Sequence, residues 1–281
     1  MKARNRRLIL LPISILCLVV LISCRSTPPQ PTQGEEAQAL NTLSEQEILE
    51  GWTLLFDGSS FDGWRGLGRE VVPVGHWKIE DGAIKKIPSG EVPLQEDGQP
   101  LAGGDLLTEK TFGHFELKFE WKISEAGNSG IKYNVSEIMS TDSPPVHAAL
   151  GFEYQILDDA GHPDAKNGDN RTAAALYDII SPQGKVINPV GEFNSGRIVF
   201  NGNHGEHWLN GVKVLEYDLG TEDMDRRLAA SKYKTIPGFE DRRTGHIVLQ
   251  DHTDAVWYRN IKIRIFKSEG EEHDNKKLIS P

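Results

Sequence analysis

His114-Phe-Glu-Leu-Lys-Phe-Glu-Trp-Lys-Ile123 alternates polar and apolar residues without a break. In an extended chain successive side chains point to opposite sides, so Phe115, Leu117, Phe119, Trp121 and Ile123 share one face. His114, Glu116, Lys118, Glu120 and Lys122 share the other. One dry and one wet face is the pattern of a strand in an antiparallel sheet packed on one side. Residues 261–265 repeat it, with Ile261, Ile263 and Ile265 alternating with Lys262 and Arg264.

Shorter runs read as strands at Thr53–Phe56, His76–Ile79, Ala83–Ile87, Gly130–Val135, Phe152–Leu157, Ala174–Ile179, Arg197–Asn201, Gly205–Leu209, Val212–Tyr217 and His246–Gln250. Trp208-Leu-Asn-Gly-Val-Lys213 predicts a hairpin, because Asn-Gly suits the two positive φ angles of a type I′ turn. Trp208 is assigned to the core. Glu222–Lys232 reads as helical, and Ser44 with Glu47 forms a capping box ahead of Ile48 and Leu49. A dozen or so strands with Gly-, Pro- and Asp-rich connections predict an all-β two-sheet sandwich of jelly-roll type.

Before this body the chain begins with four basic residues (Lys2, Arg4, Arg6, Arg7), then an apolar run from Leu8 to Ile22. At about 15 residues the run is shorter than the roughly 20 of a membrane-spanning helix. A basic start, a short apolar core and a small residue at its end make an export signal. Leu21-Ile-Ser-Cys24 matches a bacterial lipobox, which predicts cleavage before Cys24 and acylation of that cysteine. The chain thus divides into a lipoprotein signal peptide (1–23), a lipid-anchored flexible linker rich in Pro, Gln, Thr and Glu (24–47), the sandwich (48–267) and a charged tail (268–281). The expected location is the cell envelope, on a bacterial membrane.

Cys17 leaves with the signal and Cys24 is taken by lipid, so the body has no thiol for a disulfide, a cysteine-metal site or a cysteine nucleophile. The 31 basic and 41 acidic residues give a net charge of −10. Residues 1–23 hold four basic and no acidic side chains, so the mature chain carries 27 basic and 41 acidic, a net of −14. Nucleic acid, which needs a basic face, is excluded as a partner.

Candidate site residues come from polar positions within otherwise apolar strands. In Gly151-Phe-Glu-Tyr-Gln-Ile-Leu-Asp-Asp159, Glu153 and Gln155 share a face, while Asp158 falls on the opposite one. Gly127-Asn-Ser-Gly130 brings Asn128 and close backbone approach ahead of a strand that carries Lys132. Gln250 and His252 sit two apart at the end of another strand, and His204 and His207 precede the Asn-Gly turn. Glu, Gln, Asn, His and an aromatic on a concave sheet are the usual make-up of a sugar site.

The same residues carry a family resemblance. Gly51-Trp-Thr-Leu-Leu-Phe-Asp-Gly-Ser-Ser-Phe-Asp-Gly-Trp64, Asn128-Ser-Gly-Ile131, Glu153-Tyr-Gln-Ile-Leu-Asp158, Ala175-Leu-Tyr-Asp178, Gly191-Glu-Phe-Asn194, His207-Trp-Leu-Asn-Gly211 and Leu249-Gln-Asp-His252 occur in order. Together, over roughly residues 49–267, they resemble the bacterial 3-keto-disaccharide hydrolase domain, also described as 3-keto-glycoside 1,2-lyase and 3-keto-2-hydroxy-glucal hydratase. The chain departs at Lys132-Tyr-Asn134, where an Arg is expected near Asn134. The resemblance implies a concanavalin-like sandwich acting on glycosides, mono- or oligosaccharide, already oxidised at C3.

The residues suit that chemistry. Ordinary glycosidases set two carboxylates across the bond, whereas the same-face neighbour of Glu153 is Gln155. A C3 ketone acidifies the C2 proton, so one base can remove it while the aglycone leaves from C1, and water added to the enone completes net hydrolysis. Such a scheme needs a base, a proton donor to the leaving oxygen and donors to the enolate oxygen. Glu153, His252 and His207 are the expected acid–base residues, and Asn128, Lys132, Gln155, Asp158 and Gln250 the expected substrate contacts. No nucleotide-binding glycine motif is present, so a separate sugar 3-dehydrogenase must supply the ketone. No cofactor or metal ligand set is assigned. The acidic, Asn-rich loop 158–170 offers calcium its oxygens, though without the spacing of an EF-hand. A lectin-like carbohydrate-binding module on the same fold is the alternative reading.

Overall fold

The computed structural model describes residues 39–73, 75–88, 104–141 and 149–266. The signal peptide, Cys24 and the 268–281 tail lie outside the described residues. Two antiparallel sheets face each other. The larger runs in the order β12 (Val212–Asp218), β11 (His204–Leu209), β10 (Asn194–Asn201), β7 (Phe115–Ile123), β14 (Val256–Ile265), β4 (Ala83–Lys86), β3 (Trp77–Glu80), with β1 (Trp52–Leu54) added beside β14. The smaller runs β2 (Trp64–Gly66), β5 (Leu106–Thr108), β13 (Thr244–Leu249), β8 (Asn128–Val135), β9 (Phe152–Leu157), with β6 (Phe112–Gly113) beside β13. This is the expected all-β sandwich.

β7 is central to the larger sheet and does what its alternation predicts. Its apolar face is fully buried, and Phe119 meets Tyr154 of the opposite sheet edge to face at 5.2 Å. Its polar face is tied down by charge: Glu116 accepts from Arg197 and Arg264, and Glu120 from Arg259. β14 is longer than 261–265 because a bulge at Asn260 (φ 51°) shifts the alternation, so Val256 and Tyr258 face inward before it and Ile261 and Ile263 after it. At the hairpin, Asn210 (φ 48°) and Gly211 (φ 81°) adopt the positive φ pair expected of their sequence.

Three expectations are corrected. Ala174–Ile179 is not a strand: positive φ at Ala174 (67°) and Asp178 (61°) curls it, leaving single bridges from Leu176 to Tyr154 and Ile180. The folded body begins before residue 48. Asn41 exchanges hydrogen bonds with Asn260 (2.6 and 2.8 Å) and donates to Gly82 (2.8 Å), so the linker ends short of its expected boundary at 47. Trp208 is not core; its ring lies on the outer face of the larger sheet, with the Arg197 guanidinium 4.6 Å above it, lining a 490 Å³ cleft.

Of the helices, α1 (Glu45–Leu49) forms under the Ser44 capping box as expected. α2 (Glu137–Thr141) is too short to show a period, and α3 (Glu222–Ala230) buries Met224 and Leu228 one turn apart. α3 stops at Ser231, whose hydroxyl accepts from the Tyr233 amide and starts a 3₁₀ turn, Lys232–Thr235.

Candidate active site

On β8 the residues alternate between the sandwich core and the outer face of the smaller sheet. Ser129 and Tyr133 turn inward, Ser129 to Tyr258 (2.9 Å) and Tyr133 to Tyr217 (2.7 Å). Asn128, Gly130 and Lys132 therefore point outward. Register pairs Lys132 with Glu153 and Gly130 with Gln155, and the Gln250 amide donates to the Gly130 carbonyl (2.9 Å) on the other side. Glu153, Gln155, Lys132 and Gln250 thus lie on one outward patch across three neighbouring strands, with Glu153 and Gln155 on the shared face that their spacing predicts.

This patch is buried but not satisfied. Glu153 is 2 % exposed, yet its Oε2 accepts no hydrogen bond from the described residues; Lys132 Nζ stands 3.8 Å away and itself donates to the Ala149 carbonyl at 3.0 Å. The Oε1 atoms of Gln155 and Gln250 are also buried without a donor. Leaving buried acceptors unpaired costs about 1–3 kcal/mol each, more for a charge. Three such acceptors lie together on this patch.

The wall over the patch is the curled segment after β9. Its amides run alongside β9: Ala174 N donates to Gln155 O (2.8 Å) and Tyr177 N to Glu153 O (3.0 Å). Tyr177 is held by its hydroxyl on Asp164 (2.7 Å), and burial followed by this bond raises its phenol above the ordinary range. Asp178 takes Arg171 on one oxygen (2.8 Å) and the Lys232 amide on the other (2.6 Å), which fixes the start of the 3₁₀ turn against the wall. Lys232, which no periodicity points to, places its ammonium 4.1 Å over the ring of Tyr177 and 4.9 Å over that of Tyr233.

Two expected residues, His207 and Asp158, fall elsewhere, and a third, His252, stands at the edge of the same face. His207 is a core residue, 0 % exposed, its Nε2 on the Tyr133 hydroxyl (2.9 Å) and its Nδ1 on the Ala174 carbonyl (3.1 Å). Burial holds its imidazole down at about 4, so it is neutral and sealed from substrate. Asp158 fastens a turn: one oxygen accepts from Ala126 (2.8 Å), the other from Ala160 and Gly161 (both 3.1 Å). His252 is exposed and stands by Asn128, whose Nδ2 is 3.5 Å from its Nε2. Asn128 lies two residues from Gly130, against which the Glu153 carboxylate rests, so His252 stands at the Asn128 end of the face that carries Glu153.

Among the described residues two groups offer three donor atoms within 4.8 Å, His162–His252–Asp254 and His204–Glu206–Glu216. In the first, His162 Nδ1 caps the 3₁₀ turn by accepting from Asp164 N (3.1 Å). A cation on either ring nitrogen would cost that cap, since one takes its lone pair and the other moves the ring proton onto it. In the second, Lys213 already serves the carboxylates of Glu206 and Glu216.

Fold and site define a β-sandwich with a buried polar patch on the outer face of its smaller sheet. The profile of the 3-keto-alpha-glucoside-1,2-lyase-like domain matches residues 51–264, and the chain belongs to that family. It is 39% identical, over 88% of this chain and 94% of the relative, to a 3-keto-disaccharide hydrolase of Bacteroides thetaiotaomicron. Two crystal structures from Parabacteroides distasonis, both provisionally assigned as glycosyl hydrolases, share the fold. One has 32% identity and a TM-score of 0.70 over 82% of this chain and 100% of its own. The other has 27% identity and a TM-score of 0.56 over 76% and 99%. The motifs quoted from the sequence pointed to this family.

Proposed function

We propose that this chain cleaves 3-keto-glycosides, 3-keto-disaccharides among them, by elimination and hydration, with Glu153 as the base. The observation that carries the reading is the Glu153 carboxylate, buried beside Lys132 with one oxygen unpaired. A two-carboxylate glycosidase needs a second free acid about 5–10 Å away. The neighbouring carboxylates among the described residues are spent: Asp105 on the Ala149 and Asp251 amides, Asp158 on amides, Asp164 on Tyr177 and Arg171, Asp178 on Arg171 and the Lys232 amide.

In this scheme Glu153 takes the C2 proton and the electron pair moves into a C2–C3 enolate. The C3 oxygen gains charge on the side of Lys132. The pair then forms C1=C2 as the aglycone leaves, giving a 2-hydroxy-3-keto-glucal, and water adds to C1 while protonated Glu153 returns its proton to C2. Gln155 and Gln250 offer their unpaired oxygens to sugar hydroxyls. The ketone comes from a separate sugar 3-dehydrogenase, and the lipid on Cys24 keeps the protein on a bacterial membrane, in the envelope where the substrate is met.

Purified protein should release a chromogenic aglycone from a 3-keto-glucoside and leave the parent glucoside intact. Binding of the unoxidised glycan without turnover of the ketone would identify a lectin instead.

A further inference from the structure

Two lysines belong to the surroundings of Glu153, and they are not equivalent. Lys132 rises from the strand below, is buried, and is committed to Glu153 and to the Ala149 carbonyl. Lys232 arrives from the 3₁₀ turn after α3, which Asp178 holds by the Lys232 amide (2.6 Å). The Lys232 residue is exposed as a whole, but its ammonium turns in over the rings of Tyr177 and Tyr233. That ammonium has no hydrogen-bond acceptor among the described residues. The ring beneath it belongs to Tyr177, whose amide donates to the Glu153 carbonyl (3.0 Å), so the ammonium sits beside the strand that carries the base.

The reaction of the preceding section, on which this inference rests, leaves one role unfilled. Expulsion of a sugar alkoxide from C1 needs a proton at the leaving oxygen. C1 and C3 lie on either side of C2, so the groups serving their oxygens must lie on either side of the base. With the C3 oxygen on the side of Lys132, the glycosidic oxygen falls on the side of Glu153 away from Lys132. We infer that Lys232 is the catalytic acid, its ammonium protonating the glycosidic oxygen as the C1–O bond breaks. The electron pair of the enolate becomes the C1=C2 bond, the alcohol leaves neutral, and Lys232 is left as an amine. In the hydration step that amine takes a proton from the water adding to C1, which restores the ammonium.

Removal from water pulls this amine below the ordinary lysine value, with the charges of Lys132 and Arg171 acting the same way and those of Glu153 and Asp178 opposing. Tyr177 and Tyr233 have phenols raised by burial and remain protonated, so they supply faces rather than charge.

The test compares two 3-keto-glucosides with one enzyme, a disaccharide and a nitrophenyl glycoside whose leaving group needs no acid. Lys232→Met should lower kcat/KM on the disaccharide by roughly 10²–10⁴ and change the nitrophenyl substrate little. Lys232→Arg, which keeps the charge but cannot release a proton at working pH, should stay impaired on the disaccharide alone. Equal losses of Lys232→Met on both substrates, or recovery of disaccharide cleavage by Lys232→Arg, would overturn the assignment. Glu153→Gln separates this from the base assignment: a failed base leaves that variant active while the leaving-group split of Lys232→Met persists.

Discussion

The Glu153 carboxylate lies across the α-carbon of Gly130. A Cβ at residue 130 would come to 2.5 Å from Oε1 and 3.0 Å from Cγ of Glu153, so this strand position admits no side chain without moving the carboxylate. Gly130→Ala should cost about 1–3 kcal/mol of stability through overpacking. It should lower turnover of a 3-keto-glycoside by about 10²-fold through misplacement of the base. Thermal unfolding and steady-state kinetics on one preparation check both.

Asp158 acts through stability. Asp158→Ala strands the amides of Ala126, Ala160 and Gly161, and denaturant unfolding should show a loss of about 3 kcal/mol or more. Asp158→Asn, which keeps one acceptor, should recover part of it.

His207 should make the fold acid-sensitive. Its folded-state value near 4 lies below the roughly 6.5 of an unfolded imidazole, so the unfolded chain binds the extra proton between those values. Stability from this group is complete above about pH 6.5 and is lost as pH falls toward 4, by about 3 kcal/mol in total. Unfolding curves of His207→Gln should lack this part of the acid dependence, though its stability at pH 7 should be lower because the Tyr133 and Ala174 contacts change.

Lipidation makes a separate expectation. Cys24→Ser should move the protein from the detergent phase of a membrane extract to the aqueous phase, with circular dichroism unchanged. Continued partition into detergent would rule out the anchor.

Most of the sandwich was legible because β7, β8 and β9 show strict alternation, and the same alternation put Glu153 and Gln155 together. Segments with broken alternation were harder to read. The bulge at Asn260 hid half of β14, and positive φ at Ala174 and Asp178 bent an apparent strand into the wall of the site. β2, β5 and β6, at two or three residues each, are too short to have a period. His207 looked functional as a polar residue beside a hairpin, but its inward face makes it a bridge between Tyr133 and Ala174. Lys232 gave no local signal, because its place over Tyr177 is set by the Asp178 contact far back along the chain.

The most direct measurement is the kinetics of Glu153→Gln on a 3-keto-disaccharide, with the wild type compared on protium and deuterium at C2. The account predicts a loss of roughly 10²–10⁴ for the variant at unchanged melting temperature, and a slower wild type on the deuterated substrate. Near-full activity of Glu153→Gln, or equal cleavage of 3-keto and ordinary glycosides, would contradict it.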